Sequence, residues 1–475
     1  MTYRTPMFKG WARALYGRAP VRPGQSMRRK VVSVASLCKR QAEEIFGDLV
    51  PTCLLAKPEG GRNRIFTIPV VFWTFLCQIM EGGSCRSGVS SVQALQSKLG
   101  EALCSSSDAA FCSARKRFPI RVLIAIHRHL VSALSPPRSP RTFVVDGTTV
   151  SMPDTEANQV CWPQPGGQKK GVGFPVMRIV GLFDLVSGAW IAMARGTLKG
   201  SKKGSERTLW LRLWRHLKPG DTVVADAGFC CWFTIALLHH RGVRVVLRNN
   251  GRRKADKHAT RLGKNDRLER WRKPQVKPKW LKRKTYDELP KSIAVRVLTV
   301  FAPQESGFRT MKLELTTTVT DPEEMEAEEI ASLYLRRWKV ELFIDDLKTS
   351  LGMDVLRTKS PHMIYRELLM HVIAYNLLRA VIAQADEPER VSFKGSLDRL
   401  NKWMPIIAGA GSRKQRMRMI EDMLETVVED LVIERPCRRE PRVVKRRPKP
   451  FGLMTKPRGE AMEIAHRSKY RKPLN

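Results

Sequence analysis

The chain has 475 residues, and its 85 Lys and Arg against 45 Asp and Glu leave a formal charge of +40. That length exceeds a single small module, and that charge implies a polyanionic partner, nucleic acid ahead of an anionic membrane surface. The longest uncharged run, Ile65 to Met80, is shorter than the ~20 residues a spanning helix needs and contains Pro69, so no membrane span is expected.

Residues 1–33 are basic (Arg4, Lys9, Arg13, Arg18) and rich in Gly and Pro, as in a flexible arm. No apolar stretch with a cleavage site follows them, so a cytoplasmic protein is expected. Over residues 34–134 helical periodicity recurs at Val34–Phe46, Pro69–Met80, Val89–Leu99 and Ile120–Leu134, punctuated by clusters such as Glu81-Gly82-Gly83-Ser84. This reads as a helical N-terminal domain whose charge suits DNA binding. His127 and His129 stand in an apolar run and read as helix or core rather than as a metal chelate. The ten cysteines contain no C-x-x-C pair, which suggests neither a zinc site nor a disulfide framework.

Ser135-Pro136-Pro137-Arg138-Ser139-Pro140 is a stiff break, and residues 141–365 have a different texture. Thr142–Val145 is a β-branched strand running into Asp146-Gly147, and Val176–Leu185 with Ala189–Ala194 reads as a hairpin turning at Val186-Ser187-Gly188. There follow a helix (Glu206–Leu217), a strand ending at Asp226 (Thr222–Ala225), a helix (Trp232–Arg241) and a strand (Val243–Leu247). The order β-β-β-α-β-α-β, with one acid at the first strand and one at the end of the fourth, predicts a ribonuclease H-like α/β core in which those two strands are neighbours.

Residues from about 249 to 318 interrupt that core. The stretch 248–284 holds 16 Lys or Arg and 3 Asp or Glu, and Ile293–Phe301 and Met311–Val319 read as strands, so a basic, β-rich insertion is expected. Trp271 and Trp280 lie within it, suited either to stacking an unpaired base or to packing beneath the insertion. Beyond the core, residues 366–475 read as a helical region and a basic tail: Tyr365–Ala385 is an apolar helix, core or dimer face, and Arg435–Asn475 is rich in Pro, Lys and Arg.

Between insertion and tail, Tyr334, Arg337, Glu341 and Lys348 are spaced Y-x2-R-x3-E-x6-K. On a regular helix they fall within an arc of roughly 60°. Leu333, Val340, Ile344, Leu347 and Leu351 form an apolar stripe beside them. Asp146, Asp226 and Glu341 would then converge, with Asp345, one turn on, as the nearest competitor for the third place. Three carboxylates meeting in a basic protein are electrostatically unfavourable unless they share divalent cations, and hard oxygen ligands select Mg²⁺ or Mn²⁺.

With Asp146-Gly147 and Asp226-Ala227-Gly228 upstream, this four-residue signature resembles that of the bacterial DDE transposases of the insertion sequence 4 family, over about residues 60 to 365. The resemblance implies a ribonuclease H-like catalytic core, an N-terminal DNA-binding region, C-terminal dimer contacts and cut-and-paste movement of DNA. It implies that Asp146, Asp226 and Glu341 are catalytic and bind two Mg²⁺ ions, for which Mn²⁺ may substitute. Tyr334, Arg337 and Lys348 would hold DNA phosphates, and Trp271 or Trp280 would receive a flipped base. The implied partners are double-stranded DNA, both terminal inverted repeats and target, engaged by a homodimer on the nucleoid.

Overall fold

The computed structural model describes residues 46, 49–56, 64–136, 140–167, 169–198, 204–249, 256, 258–302, 311–432, 455–457 and 460. The expected basic arm, all but the end of the Val34–Phe46 helix, and most of the basic tail lie outside the described residues.

The described chain begins with helices. α1 (Ile68–Met80) carries Pro69 in its first turn, where the missing N–H costs no helical bond. α2 (Cys85–Leu99) is capped by Ser84, whose side chain accepts from the Ser87 N–H, and ends at Gly100 in the left-handed region (φ +68°). α3 (Ala109–Arg117) and α4 (Ile120–Leu134) complete this layer.

Next come β1 (Thr142–Ser151), a short α5 (Glu156–Cys161), and the hairpin β2 (Val176–Asp184) and β3 (Trp190–Thr197). Asp184 closes the hairpin by accepting from the Val186 and Ser187 N–H groups. α6 (Glu206–Leu213), β4 (Thr222–Ala225), α7 (Trp232–His240) and β5 (Arg244–Arg248) follow. The insertion supplies β6 (Thr260–Gly263), β7 (Asp266–Arg272), α8 (Arg283–Glu288), β8 (Ser292–Ala302) and β9 (Met311–Thr317). α9 (Ala327–Leu335), a 3₁₀ turn, α10 (Lys339–Asp345) and a π turn (Asp346–Ser350) run on as one rod. α11 (Pro361–Ile382), α12 (Phe393–Gly409) and α13 (Arg413–Glu429) come last.

All nine strands join one sheet in the order β3-β2-β1-β4-β5-β9-β8-β7-β6. β1 is antiparallel to β2, and β2 to β3; β1, β4 and β5 are mutually parallel; the insertion strands then continue antiparallel from the β5 edge. The insertion thus extends the sheet instead of folding beside it.

Alternation along the strands divides the core in two. Phe143, Val145, Val223 and Val245 face one side with α6 and α7. Val144, Val224, Val246 and Leu315 face the other, where the N-terminal layer, the α9–α10 rod and the C-terminal helices pack. α11 is the axis of that second layer. It is buried from Met363 to Ile382 except at Tyr365 and Arg366, which makes the apolar run core. Asn376 pins it to the sheet: its Oδ1 accepts from the Trp190 N–H (2.9 Å) and its Nδ2 donates to the Trp190 carbonyl (3.1 Å). His127 Nε2 donates to that same carbonyl (2.9 Å), which gives it a structural place in the core.

Candidate active site

Asp146 shares the strand face of Val144, so its side chain is directed to the side of the sheet that carries the α9–α10 rod. One carboxylate oxygen, Oδ1, accepts from the Gly147 N–H at 2.7 Å. Gly147 faces the opposite layer, where an added Cβ would lie 3.0 Å from the Glu206 carboxylate at the start of α6. β1 and β4 run parallel with Val144 level with Val224, so Asp226, just past β4, lies at the same end of the sheet as Asp146. Its Oδ1 accepts from the Gly228 N–H (2.9 Å), while Arg207 holds the Gly228 carbonyl (3.2 Å). Each aspartate therefore has its Oδ1 held by a backbone N–H close by in sequence, and the Oδ2 of Asp146 faces Arg337.

The rod differs from the regular helix expected from spacing. A 3₁₀ turn at Arg336–Trp338 overwinds it and a π turn at Asp346–Ser350 underwinds it. Its buried row is Ile330, Tyr334, Arg337, Val340, Phe343, Leu347 and Leu351. Tyr334 and Arg337 thus belong to the inward row and not to a polar face beside it, whereas Glu341 is 60% exposed. Leu333 and Ile344, expected in the apolar stripe, are only half-buried.

Arg337 is the hinge of the electrostatics. It lies 3.1 Å from Glu341 Oε1 and 4.0 Å from Asp146 Oδ2, with its guanidinium carbon 5.8 Å from the centre of the Tyr334 ring, and its buried Nε has no hydrogen-bond partner. Burial pushes the Asp146 carboxyl up to about 6; the Gly147 N–H and Arg337 pull it down, and the negative charges of Asp226 and Glu341 push it further up. Burial likewise raises the Tyr334 phenol, against the pull of Arg337 and Arg248. Arg248, at the end of β5, is a cation of this site that the spacing did not reveal; its position beside the end of β4 was the available signal.

The donor set suits a hard divalent cation: three carboxylates, two of them with a spare oxygen, repelling one another in a partly buried cleft. Their oxygens do not all come within 4.8 Å of one another, and Glu341 accepts from Arg337 (3.1 Å). Lys348 is engaged as well, paired with Asp354 at 2.9 Å. Asp345 is exposed and accepts from the Thr349 hydroxyl (2.6 Å), one turn outward from Glu341.

The two tryptophans separate. Trp271 is 3% exposed, its indole N–H donates to Glu269 (2.7 Å), and its carbonyl accepts from the Trp232 indole (2.9 Å). That corrects the stacking expectation for Trp271. On β7 the inward parity takes Glu269 and Trp271 while Arg270 and Arg272 face solvent, so the aromatic packs beneath the basic surface. Trp280 is half-buried, edge-on to Phe233 (6.5 Å, 87°), in a groove of about 620 Å³ that also includes Arg207, Asn249 and the exposed Val276.

One acid within a strand, a second just past the end of the parallel strand beside it and a third on a later helix mark an α/β protein with a carboxylate active site. The transposase DDE domain matches residues 137–377, and the chain belongs to that family. It is 27% identical over 327 residues to transposase InsG for insertion sequence element IS4 of Escherichia coli strain K12, covering 64% of this chain and 68% of that relative. It is a DDE transposase of the insertion sequence 4 family. A cryo-EM structure of the piggyBac transposase synaptic complex with hairpin DNA aligns at a TM-score of 0.42 with 9% identity, covering 87% of this chain and 88% of that one, too remote a likeness to establish the fold. Among the described residues no helix is long and apolar enough to cross a membrane.

Proposed function

We propose that this transposase moves an insertion sequence by cut and paste, cleaving DNA at the transposon ends and joining the freed ends to target DNA. The observation that carries the reading is Arg337 set between Asp146 and Glu341, with Asp226 just past the end of the parallel strand beside Asp146 and both other acids acting on the Asp146 carboxyl. The strand order β3-β2-β1-β4-β5, antiparallel then parallel, supports a ribonuclease H-like core beneath that site.

Asp146, Asp226 and Glu341 would hold two Mg²⁺ ions, or Mn²⁺ in their place. When bound, the ions would lower the pKa of the attacking water and stabilise the leaving 3′-oxygen. Arg337 would turn its unpartnered Nε toward a phosphate, with Tyr334 beneath it and Lys348 released from Asp354 onto the next phosphate. In the first step water forms a bond to phosphorus as the bond to the 3′-oxygen breaks. The freed 3′-OH then attacks the opposite strand to close a hairpin, and after hairpin opening the 3′-OH attacks target DNA. Each step exchanges one P–O bond for another, so no covalent protein adduct is needed. A phenol raised by burial and 3% exposed is poorly suited to nucleophilic attack. Trp280 would receive a flipped base in its groove. The N-terminal helices would contact the terminal inverted repeats, and a homodimer would bring two ends together.

The test uses duplexes carrying the inverted repeats that flank the reading frame, with Mg²⁺. Nicks, hairpins and joined products are expected from the wild type and none from Asp226→Asn. Nicks without hairpins or joined products would replace the reading with a simple nuclease. Specific binding without nicking would replace it with a DNA-binding derivative.

A further inference from the structure

The N-terminal helices carry a cluster that the proposed reaction does not use. Cys85 opens α2, Asp108 stands at the N-cap of α3, and Cys112 lies one turn along α3. Their two sulfurs and a carboxylate oxygen all lie within 4.8 Å of one another, and all three residues are half-buried. Gly88 permits this approach: a Cβ there would meet Thr74 Cγ2 at 2.9 Å and Phe111 Cε1 at 3.3 Å, so only glycine lets α2 close on α1 and α3 this far. Asp108 makes no capping bond to the amides of α3, in contrast to Ser84 on α2. Its carboxylate joins the sulfurs instead. Arg115, 4% exposed and stacked 4.0 Å over the Phe75 ring, donates from Nη1 to Cys85 Sγ (2.9 Å) and to Gln78 Oε1 (3.2 Å).

We propose that Cys85, Cys112 and Asp108 form a binding site for one thiophilic divalent cation, zinc, which clasps α2 to α3. A tetrahedral ion with Zn–S of ~2.3 Å and Zn–O of ~2.0–2.2 Å sets its ligand atoms roughly 3.5–3.8 Å apart, within reach of the spacing seen here. Two thiolates and a carboxylate overbalance a divalent ion by one negative charge. Arg115 offsets it from the outer side by donating to a ligand sulfur. Half-exposure leaves the fourth position to water. The sulfur ligands distinguish this site from the all-oxygen active site, because thiolates select soft cations and carboxylates hard ones.

Cobalt(II) is the probe, titrated into reduced, metal-free full-length protein. A sulfur-to-cobalt charge-transfer band saturating at one equivalent and displaced by zinc is expected. The band should persist in Asp146→Asn/Asp226→Asn and vanish in Cys85→Ser/Cys112→Ser. Asp108→Asn keeps both sulfurs and breaks no capping bond, so it should fold as the wild type while binding cobalt at least about tenfold more weakly. No band in the wild type, a band surviving loss of both cysteines, or undiminished affinity in a folded Asp108→Asn protein would each overturn the proposal.

Discussion

Asp146 must be an anion in a place that disfavours one. Its carboxyl is pushed up to about 6 by burial and then by Asp226 and Glu341, while an unfolded chain would leave it near 4. Below about pH 4 the group is neutral in both states and the stabilisation from its protonated form is whole; between about 4 and 6 only the unfolded chain gives up the proton, which draws the balance toward unfolding. That stabilisation is lost as pH rises through about 6. Asparagine carries no such loss, so in EDTA Asp146→Asn should match the wild type near pH 4 and exceed it by about 1–2 kcal/mol above pH 7, after allowance for the 25% exposure of the side chain. The same variant should lose DNA cleavage altogether. Denaturant melts across pH check the first part, and a flat difference would show that Asp146 is not strained. Arg337 moderates that strain. Arg337→Ala should lower metal-free stability by about 1–3 kcal/mol, and Asp146→Asn should recover more in that background than alone, a coupling readable from a double-mutant cycle.

At the scale of elements, the sequence was legible where periodicity and punctuation agree. β4 lies where its β-branched run predicted, and the β2–β3 hairpin turns at Gly188 (φ +70°) as Val186-Ser187-Gly188 predicted. The adjacency of β1 and β4, which sets Asp146 beside Asp226, followed from the order of strands and helices. What stayed hidden depends on information that a local pattern does not carry. β6 is exposed along its whole length, and β7 reads as polar because its inward residues include Glu269, which is 2% exposed yet satisfied by Trp271 and Arg267. The face of Tyr334 and Arg337 was misjudged because regular helical geometry was carried through a 3₁₀ and a π turn. Cys85 and Cys112 stand far apart in sequence, on helices whose contact depends on Gly88. The tie between α11 and β3 was equally hidden, although Asn376 is fully buried and bonds both backbone groups of Trp190. Asn376→Ala should cost about 2–3 kcal/mol, because the Trp190 N–H is left unpaired in the core. An unchanged thermal midpoint would mean that α11 is held by apolar packing alone.

For the whole molecule, a charge of +40 sets how DNA is met more than which DNA is chosen. Each phosphate contact releases condensed counterions, so the observed affinity should fall linearly on a log–log plot against salt, and removal of one phosphate-binding cation should shallow that slope by about one. Lys348 offers a sharper test, because its ammonium is already paired with Asp354 at 2.9 Å in a bridge that is 27% and 57% exposed at its two ends. Such a pair is worth at most about 1 kcal/mol, and phosphate must compete with it. Asp354→Asn should therefore tighten DNA binding by about two- to fivefold with little change in slope, whereas Lys348→Ala should weaken it and shallow the slope. If Asp354 acts only through Lys348, Lys348→Ala/Asp354→Asn will match Lys348→Ala alone. Fluorescence anisotropy on a labelled end duplex over a salt series reads all three variants, and a double variant that still binds more tightly than Lys348→Ala would show that Asp354 repels DNA directly.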